Sequence, residues 1–294
     1  LSKKYQVFVI SKYYIEIIVN YKIVSKRKNN IYFFIYTILF NKFHIWFCDI
    51  LTFSLLPMSK LVFTIHDMKE WSGYARGSIV KKLLIKFLVI KSFKVLTVSR
   101  YQSKQIKKFL KIKPVVIQNG IPKEGLSSIM QNIGTKKRLI KDKYVVYVSN
   151  FARNKGHENI LKNLEFFNDL KIILVGSIID KVGDKVCKDL KKIKEVKIME
   201  SVSENYKYRL IKEAEFIIFP SNYEGYGIPI VEALLMNKKI LVNDIVSLSH
   251  FRGCDAIKFV KFNRVLKKKD REWTKIKLGN ESNIKKYIKI GKII

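Results

Sequence analysis

Short apolar runs alternate with longer, lysine-rich amphipathic segments, and this alternation restricts the chain to parallel sheets covered by helices. "YQVFVIS" (Tyr5 to Ser11), "KLVFTIHD" (Lys60 to Asp67), "KVLTVS" (Lys94 to Ser99) and "KPVVIQNG" (Lys113 to Gly120) read as strands that stop at polar or glycine residues. Between the second and third, "SIVKKLLIKFLVIKSF" (Ser78 to Phe93) has helical length and a largely apolar face. "SRYQSKQIKKFLKI" (Ser99 to Ile112) begins with Ser99 in capping position and sets Ile106, Phe109 and Leu110 on one side of a helix.

The rhythm breaks from Pro122 to Asp142, at Gly125, Ser127-Ser128, Gly134 and a basic cluster, which predicts a linker over 123–142. It then resumes. Strands are expected at "KYVVYVSN" (Lys143 to Asn150), "LKIILVGS" (Leu170 to Ser177), "VKIME" (Val196 to Glu200), "EFIIFPS" (Glu215 to Ser221) and "KKILVN" (Lys238 to Asn243). Helices are expected from about Gly156 to Asn168, Lys181 to Lys194, Ser203 to Glu213 and Pro229 to Leu235. The expected fold class is α/β, with two Rossmann-like, doubly wound domains at 1–122 and 143–262 and a basic tail at 263–294 carrying a closing helix. In such domains ligands sit beyond the carboxyl ends of the strands.

Composition constrains partners. The 58 basic and 24 acidic residues give a formal charge of +34, which draws a protein toward anionic surfaces. Three readings stand: a coding bias toward Lys, Ile and Asn, peripheral contact with anionic lipid, and nucleic-acid binding. The last lacks a compact basic segment with interleaved aromatics, and no zinc-finger or helix-turn-helix pattern stands out. No specific nucleic acid is expected. Cys48, Cys187 and Cys254 are odd in number and widely spaced, which suits buried thiols in a reducing compartment. The run "IYFFIYTILF" (Ile31 to Phe40), broken by Asn41-Lys42 from the next apolar stretch, is shorter than the ~20 residues a membrane span needs, and reads as buried strands or a buried helix plus a strand.

The chemistry concentrates in "FPSNYEGYGIPIVEALLMNKKILVND" (Phe219 to Asp244), where Glu224 and Glu232 flank a Gly- and Pro-marked turn at a strand exit. Pro229 suits the first turn of a helix that Gly227 introduces, and the free N–H groups at such a helix start attract an anion. A ligand with its phosphates on those N–H groups can offer sugar hydroxyls to both carboxylates. Taken singly, Glu224 reads equally as a solvated loop acid and Glu232 as a capping or salt-bridging one. "SNFARNKGHENI" (Ser149 to Ile160) occupies the first strand exit of the same domain and supplies Asn150, Arg153 and Lys155, the last two as charged phosphate donors. His66 ends the strand "LVFTI" and reads either as a donor to a sugar oxygen or as a core or capping histidine. The histidines at 44, 66, 157 and 250 give no zinc spacing, and neither a GxGxxG nor a Walker motif is present, so no metal and no dinucleotide cofactor are expected.

Over about Leu61 to Val260 these motifs resemble the retaining glycosyltransferases of family 4, the glycosyl transferases group 1 of GT-B fold. "PSNYEGYGIPIVEAL" is similar to the family's E-x7-E signature, "VVYVSNFARNKG" to its phosphate-binding loop, and "VFTIHD" with "VLTVSRYQSKQI" to the later part of its acceptor-side domain. The resemblance implies two domains facing across a cleft, with the N-terminal one shortened, since no glycine-rich acceptor loop follows "VFVISKYY". It implies that His66 lies near the donor sugar, Lys155 holds the diphosphate, Glu224 contacts the transferred sugar and Glu232 binds the ribose, with Gly227 and Ile228 approaching the diphosphate. Ser149-Asn150 stands where the family often has Gly-Arg, so Arg153 is the substitute guanidinium; His250 stands where it commonly has Glu.

The implied activity is retaining transfer of a hexose or deoxyhexose from a UDP-, GDP- or dTDP-linked sugar to a polyprenyl-diphosphate-linked glycan, in assembly of O-antigen or capsule. The implied place is the cytoplasmic face of the bacterial inner membrane, peripheral to an anionic surface. Two alternatives stand beside it: a catalytically inactive partner or scaffold of such a system, and a basic nucleic-acid binder.

Overall fold

The computed structural model describes residues 7–10, 21–25, 46–48, 61–74, 79–121 and 138–275. The expected apolar element at 31–40, most of the linker at 123–142 and the tail beyond 275 lie outside the described residues. The chain divides into two compact units, one of residues 1–65 and 80–96, the other of residues 66–79 and 97–294.

In the first unit, β1 (Val7–Ile10) pairs in parallel with β2 (Tyr21–Ser25), and β3 (Trp46–Cys48) pairs in parallel with β4 (Leu61–Ile65). Leu61, Val62, Phe63 and Ile65 are all buried, as a central parallel strand of apolar residues must be. A single turn, α1 (Lys69–Ser72), belongs to the second unit. The 13-residue helix α2 (Ile79–Lys91) buries Ile85, Leu88 and Val89, and β5 (Lys94–Thr97) follows it. The Phe93 N–H donates to the Leu61 carbonyl at 2.8 Å.

The second unit continues with α3 (Arg100–Leu110), whose Ser99 side chain accepts from the Gln102 N–H as the sequence leads one to expect. The short β6 (Val115–Val116) is followed by Ile117, whose N–H donates to the Thr97 carbonyl at 2.8 Å. A six-stranded parallel sheet then forms from β7 (Tyr144–Val148), β8 (Lys171–Val175), β9 (Val196–Met199), β10 (Phe216–Phe219), β11 (Ile240–Asn243) and β12 (Ile257–Val260). Its spatial order is β12-β11-β10-β7-β8-β9. Strands β7 to β9 are laid outward on one side, and the chain then returns to lay β10 to β12 on the other. The order therefore reverses between β7 and β10, which opens a crevice at their carboxyl ends.

The helices α4 (Glu158–Leu161), α5 (Lys181–Lys191), α6 (Glu204–Glu213) and α7 (Ile228–Leu235) lie between these strands in sequence, and α8 (Lys268–Lys275) follows them. Tyr144, Tyr147, Ile173, Leu174, Ile218, Phe219, Leu241 and Val242 fill the core from the sheet. Asp180 and Ser203 cap α5 and α6 by accepting from the N–H groups of Gly183 and Tyr206.

Two features differ from the sequence expectation. Strand β12 is a sixth, edge strand, and its half-buried "IKFV" lacks the continuous apolar run of the others. The helix expected from Gly156 to Asn168 is broken into a 3-10 turn at Arg153–Lys155, the short α4, and a second 3-10 turn at Leu164–Phe167. Asn163 explains the break. Its buried amide donates to the carbonyls of Asn159 and Phe262, at 2.8 and 2.9 Å, and accepts from the Leu266 N–H at 2.8 Å. That long-range tie anchors the segment to the chain beyond β12 in place of a regular helix. Lys239 fixes α8 by donating to the Trp273 carbonyl at 2.6 Å, with its ammonium 4.9 Å from the Trp273 ring centre. Among the described residues no helix is long and apolar enough to cross a membrane.

Candidate active site

A cavity of about 410 Å³ lies in the second unit, lined by residues at the ends of β7, β8, β9 and β10 together with Lys155, Lys207, Glu224 and Pro229. It sits where the strand order reverses. Ser149 and Asn150 enter it from β7, Gly176 and Ser177 from β8, and Glu200, Ser201 and Val202 from β9.

Glu224 is 8% exposed, and its two carboxylate oxygens lie 2.9 and 3.0 Å from the Lys155 ammonium. The Ser221 hydroxyl donates to the same carboxylate at 2.6 Å and lies 2.7 Å from the Tyr147 hydroxyl. Burial keeps the Tyr147 phenol well above its ordinary range, so it remains a neutral partner to the acid. A buried carboxylate needs such compensation, and here a cation and a hydroxyl supply it.

The backbone around Glu224 is braced from two further segments of the unit. Its N–H donates to the Ser247 hydroxyl at 3.3 Å, and its carbonyl accepts from the Gln102 amide at 3.1 Å. Ser99 donates to the Gly225 carbonyl at 2.9 Å, and the Tyr223 hydroxyl accepts from the Met68 N–H at 3.0 Å and from Gln102 at 3.1 Å. A Cβ on Gly225 would stand 2.5 Å from the His66 carbonyl oxygen, so only glycine permits this approach. Gly227 then turns the chain into α7 with φ of +98°, and Pro229 occupies the first turn, where no N–H is missed.

Glu232 lies farther along α7 and is 6% exposed. Its Oε1 accepts from the Lys207 ammonium and the Tyr208 hydroxyl, both at 3.1 Å. Burial raises its carboxyl above the ordinary range, and the Lys207 charge and the two hydrogen bonds oppose that rise. Lys207 also pairs with Glu204 at 2.7 Å and lies 4.3 Å from the Tyr208 ring centre.

Of the residues singled out from the sequence, Asn150, Lys155 and Glu224 therefore meet around one cavity. The Asn150 side-chain amide oxygen accepts from the Ser177 N–H at 3.1 Å, which joins the exits of β7 and β8. Gly227 and Ile228 form the start of α7, next to Pro229 of the lining. Glu232 is not among the lining residues; it sits behind Lys207, which is. Arg153 donates its backbone N–H to Asp180 and is not among the lining residues either. His66 is exposed just beyond β4. His250 stacks on Tyr226 with ring centres 5.2 Å apart.

Sequence reasoning missed Lys207, Ser221 and Tyr147. Lys207 is one of 49 lysines, since nine of the 58 basic residues are arginine, and nothing local distinguishes it. Tyr147 reads as a core strand residue, which it also is. Among the described residues no group of three or more His, Cys, Asp or Glu side chains is placed to hold a metal ion.

With this geometry in hand, the chain can be compared with known proteins. The family model described as "Glycosyl transferases group 1" matches residues 131–251. The chain is 30% identical over 192 residues to the O-antigen chain mannosyltransferase RfbU of Salmonella typhimurium, covering 62% of this chain and 51% of that protein. It is 26% identical over 181 residues to the N-acetylgalactosamine-N,N'-diacetylbacillosaminyl-diphospho-undecaprenol 4-alpha-N-acetylgalactosaminyltransferase of Campylobacter jejuni, covering 57% and 46%. The chain thus spans about half the length of the curated relatives it matches. Among solved structures, sucrose-phosphate synthase from Thermosynechococcus elongatus aligns with a TM-score of 0.64 at 15% identity, over 88% of this chain and 75% of that one. That likeness shows the fold, α/β domains of Rossmann type of the GT-B class. By sequence the chain is similar over 57–62% of its length to these two bacterial sugar transferases.

Proposed function

We propose that the protein is a glycosyltransferase that draws a hexose or deoxyhexose from a nucleotide-diphosphate sugar and transfers it, with retention at the anomeric carbon, to a lipid-linked glycan. The observation that carries this reading is the Lys155–Glu224 pair at the strand-order reversal, with both carboxylate oxygens on one ammonium and an open cavity beside them. An arriving diphosphate competes with Glu224 for Lys155, which then stands between two anions and holds both in register. The N–H groups at the start of α7 point the same way as an anion-binding helix end.

In this reading Glu224 accepts from a hydroxyl of the transferred sugar, and the Glu232–Lys207 corner receives the ribose. Asn150 and Ser177 border the phosphate end, and His66 and Arg153 stand at its margins. The bond from the anomeric carbon to the diphosphate oxygen breaks as the acceptor hydroxyl oxygen bonds to that carbon. The acceptor proton passes to the departing diphosphate, whose growing charge Lys155 stabilises. Glu224 takes no nucleophilic part, and the paired carboxylates of glycosidases are a different arrangement.

The names of the Salmonella and Campylobacter relatives support an acceptor built on a diphospho-polyprenol and a role in surface polysaccharide such as O-antigen. The formal charge of +34 supports work at the cytoplasmic face of an anionic membrane. The test is isothermal titration with UDP, GDP and dTDP, using Glu232→Ala and Lys155→Ala as controls. A preference for one nucleotide, lost in both folded variants, is the expected outcome. Unchanged affinity in those variants would sink the reading, and nucleotide binding without sugar transfer would favour the inactive-partner alternative.

A further inference from the structure

Behind Glu224 the hydroxyl protons do not fill the oxygen contacts. Three gaps run in series: the Lys155 carbonyl oxygen lies 2.9 Å from the Tyr147 hydroxyl, that hydroxyl 2.7 Å from the Ser221 hydroxyl, and Ser221 2.6 Å from Glu224 Oε1. The carbonyl and an ionised carboxylate only accept, while Tyr147 and Ser221 bring one proton each, so three gaps share two protons. With Ser221 donating to Glu224, Tyr147 serves either the Lys155 carbonyl or the Ser221 oxygen, and one gap is left without a proton. Both hydroxyl side chains are fully buried, so bulk water does not fill it. Ser149 also faces Tyr147 but stands outside the series.

One added proton completes the series, and Glu224 is the group that can carry it. With the proton on Oε1, Glu224 donates to Ser221, Ser221 to Tyr147 and Tyr147 to the Lys155 carbonyl, so every gap is filled. Oε2, 3.0 Å from the Lys155 ammonium, stays an acceptor. What favours the ionised acid is that ammonium. A diphosphate drawn to Lys155 takes part of its charge from Glu224 and adds negative charge beside a buried acid, and both changes favour the protonated form. The other charges nearby are engaged elsewhere. Lys207 and Glu200 line the same cavity, but Lys207 is paired with Glu204 and Glu232, and Glu200 with Lys191. Asp67, beside Gly225, has Lys69 3.9 Å away. Lys155 is therefore the cation that decides.

We propose that Glu224 takes up a proton from solvent as a diphosphate occupies Lys155, and that Ser221 and Tyr147 are positioning residues that accommodate it by reversing their hydrogen bonds. The proton returns to solvent when the diphosphate leaves. The inference rests on the nucleotide-sugar reading of the cavity and adds the protonation state of its acid: Oε1 is turned to Ser221, Oε2 accepts from the sugar, and the ammonium is left to the phosphates.

The experiment is titration calorimetry of the full chain with UDP-glucose, GDP-mannose and dTDP-glucose, whose doubly esterified diphosphates do not titrate near neutrality. Each is run near neutral pH in PIPES, HEPES and Tris, and the slope of binding heat against buffer ionisation enthalpy counts the protons taken up. Wild type is expected to take up roughly 0.5 to 1 proton per site with the nucleotide sugar it binds. Glu224→Gln should abolish the uptake, and Ser221→Ala and Tyr147→Phe should each cut it by about half or more. Tyr147 is not among the lining residues, so Tyr147→Phe decides if Glu224→Gln binds too weakly to titrate. Circular dichroism verifies that each variant folds. Binding without proton uptake, or uptake that Glu224→Gln or both hydroxyl variants retain, would overturn the proposal and leave the donor site standing. Binding of none of the three would remove the nucleotide-sugar reading and the proposal with it.

Discussion

The Lys155 ammonium bridges both oxygens of Glu224, at 2.9 and 3.0 Å, and the two residues come from loops that follow different strands, β7 and β10. Beside the ligand role proposed for it, the pair is structural, because Glu224 is 8% exposed. Lys155→Met leaves a buried carboxylate without its cation and should lower stability by about 2–3 kcal/mol, below the full cost of a deeply buried pair because the lysine is partly solvated. Lys155→Met/Glu224→Gln should recover most of that loss and none of the nucleotide affinity. Urea unfolding and titration calorimetry on the two variants separate the effects. A double variant no more stable than the single one would show that the pair is not coupled.

The second buried acid predicts a pH dependence. Burial holds the Glu232 carboxyl above its ordinary value of 4.5, so the folded state keeps a proton that the unfolded chain has released. Glu232 therefore lowers stability progressively as pH rises through that window, and Glu232→Gln should flatten this part of the profile. Lys207, Tyr208 and Glu204, all on α6, face the carboxyl; Lys207 is its counter-cation. Lys207→Met should push the Glu232 carboxyl higher. Nucleotide affinity should then fall at mildly acid pH while recovering above neutrality, about tenfold for each unit of displacement. Titrations at several pH values check this, and a uniform loss at every pH would assign Lys207 a packing role only.

Two glycines set the position of the Glu224 loop. Gly225→Ala drives a Cβ to 2.5 Å from the His66 carbonyl oxygen, and because that atom is backbone the loop itself must shift. Gly227→Ala forces a side chain onto φ of +98° beside Leu248, Ile230 and Phe251. Each should cost about 1–3 kcal/mol, and Gly225→Ala should also weaken nucleotide binding by moving Glu224. Gly120→Ala, which meets nothing within 4 Å, is the control. If Gly225→Ala matches Gly120→Ala in urea midpoint and in affinity, the close approach to His66 does not position the site.

These residues also mark what the sequence could and could not convey. Strands β7, β8, β10 and β11 were legible because strands buried on both faces are nearly continuous apolar runs. Lys155 and Glu224 were legible because each follows such a strand. Lys207 was hidden by its abundance of look-alikes, and its contact with Glu232 spans two helices. The broken helix at Glu158–Leu161 was hidden for another reason. Asn163 bonds to Phe262 and Leu266 far along the chain, so tertiary contacts override a local helical pattern. The ligand role expected of Glu232 came from its spacing to Glu224, yet its immediate partners are side chains of α6.

His157 supplies a last prediction, of opposite sign to that of Glu232. It is 2% exposed, its ring stacked on Phe151 with centres 4.1 Å apart and lying 4.9 Å from Tyr147. Burial, then the nearby Lys155 charge, lowers it to about 3 from 6.5. Below 6.5 the unfolded chain takes up a proton that the folded protein refuses. The stability His157 contributes is thus complete above about pH 6.5 and declines as pH falls toward 3. One such proton tilts the stability profile by about 1.4 kcal/mol per pH unit. His157→Phe keeps the aromatic stack and should remove that tilt between pH 6.5 and 5, leaving the smaller contribution of His250, which burial also lowers. Urea unfolding at pH 5, 6 and 7 measures it, and parallel slopes for wild type and variant would mean that His157 is protonated in the fold.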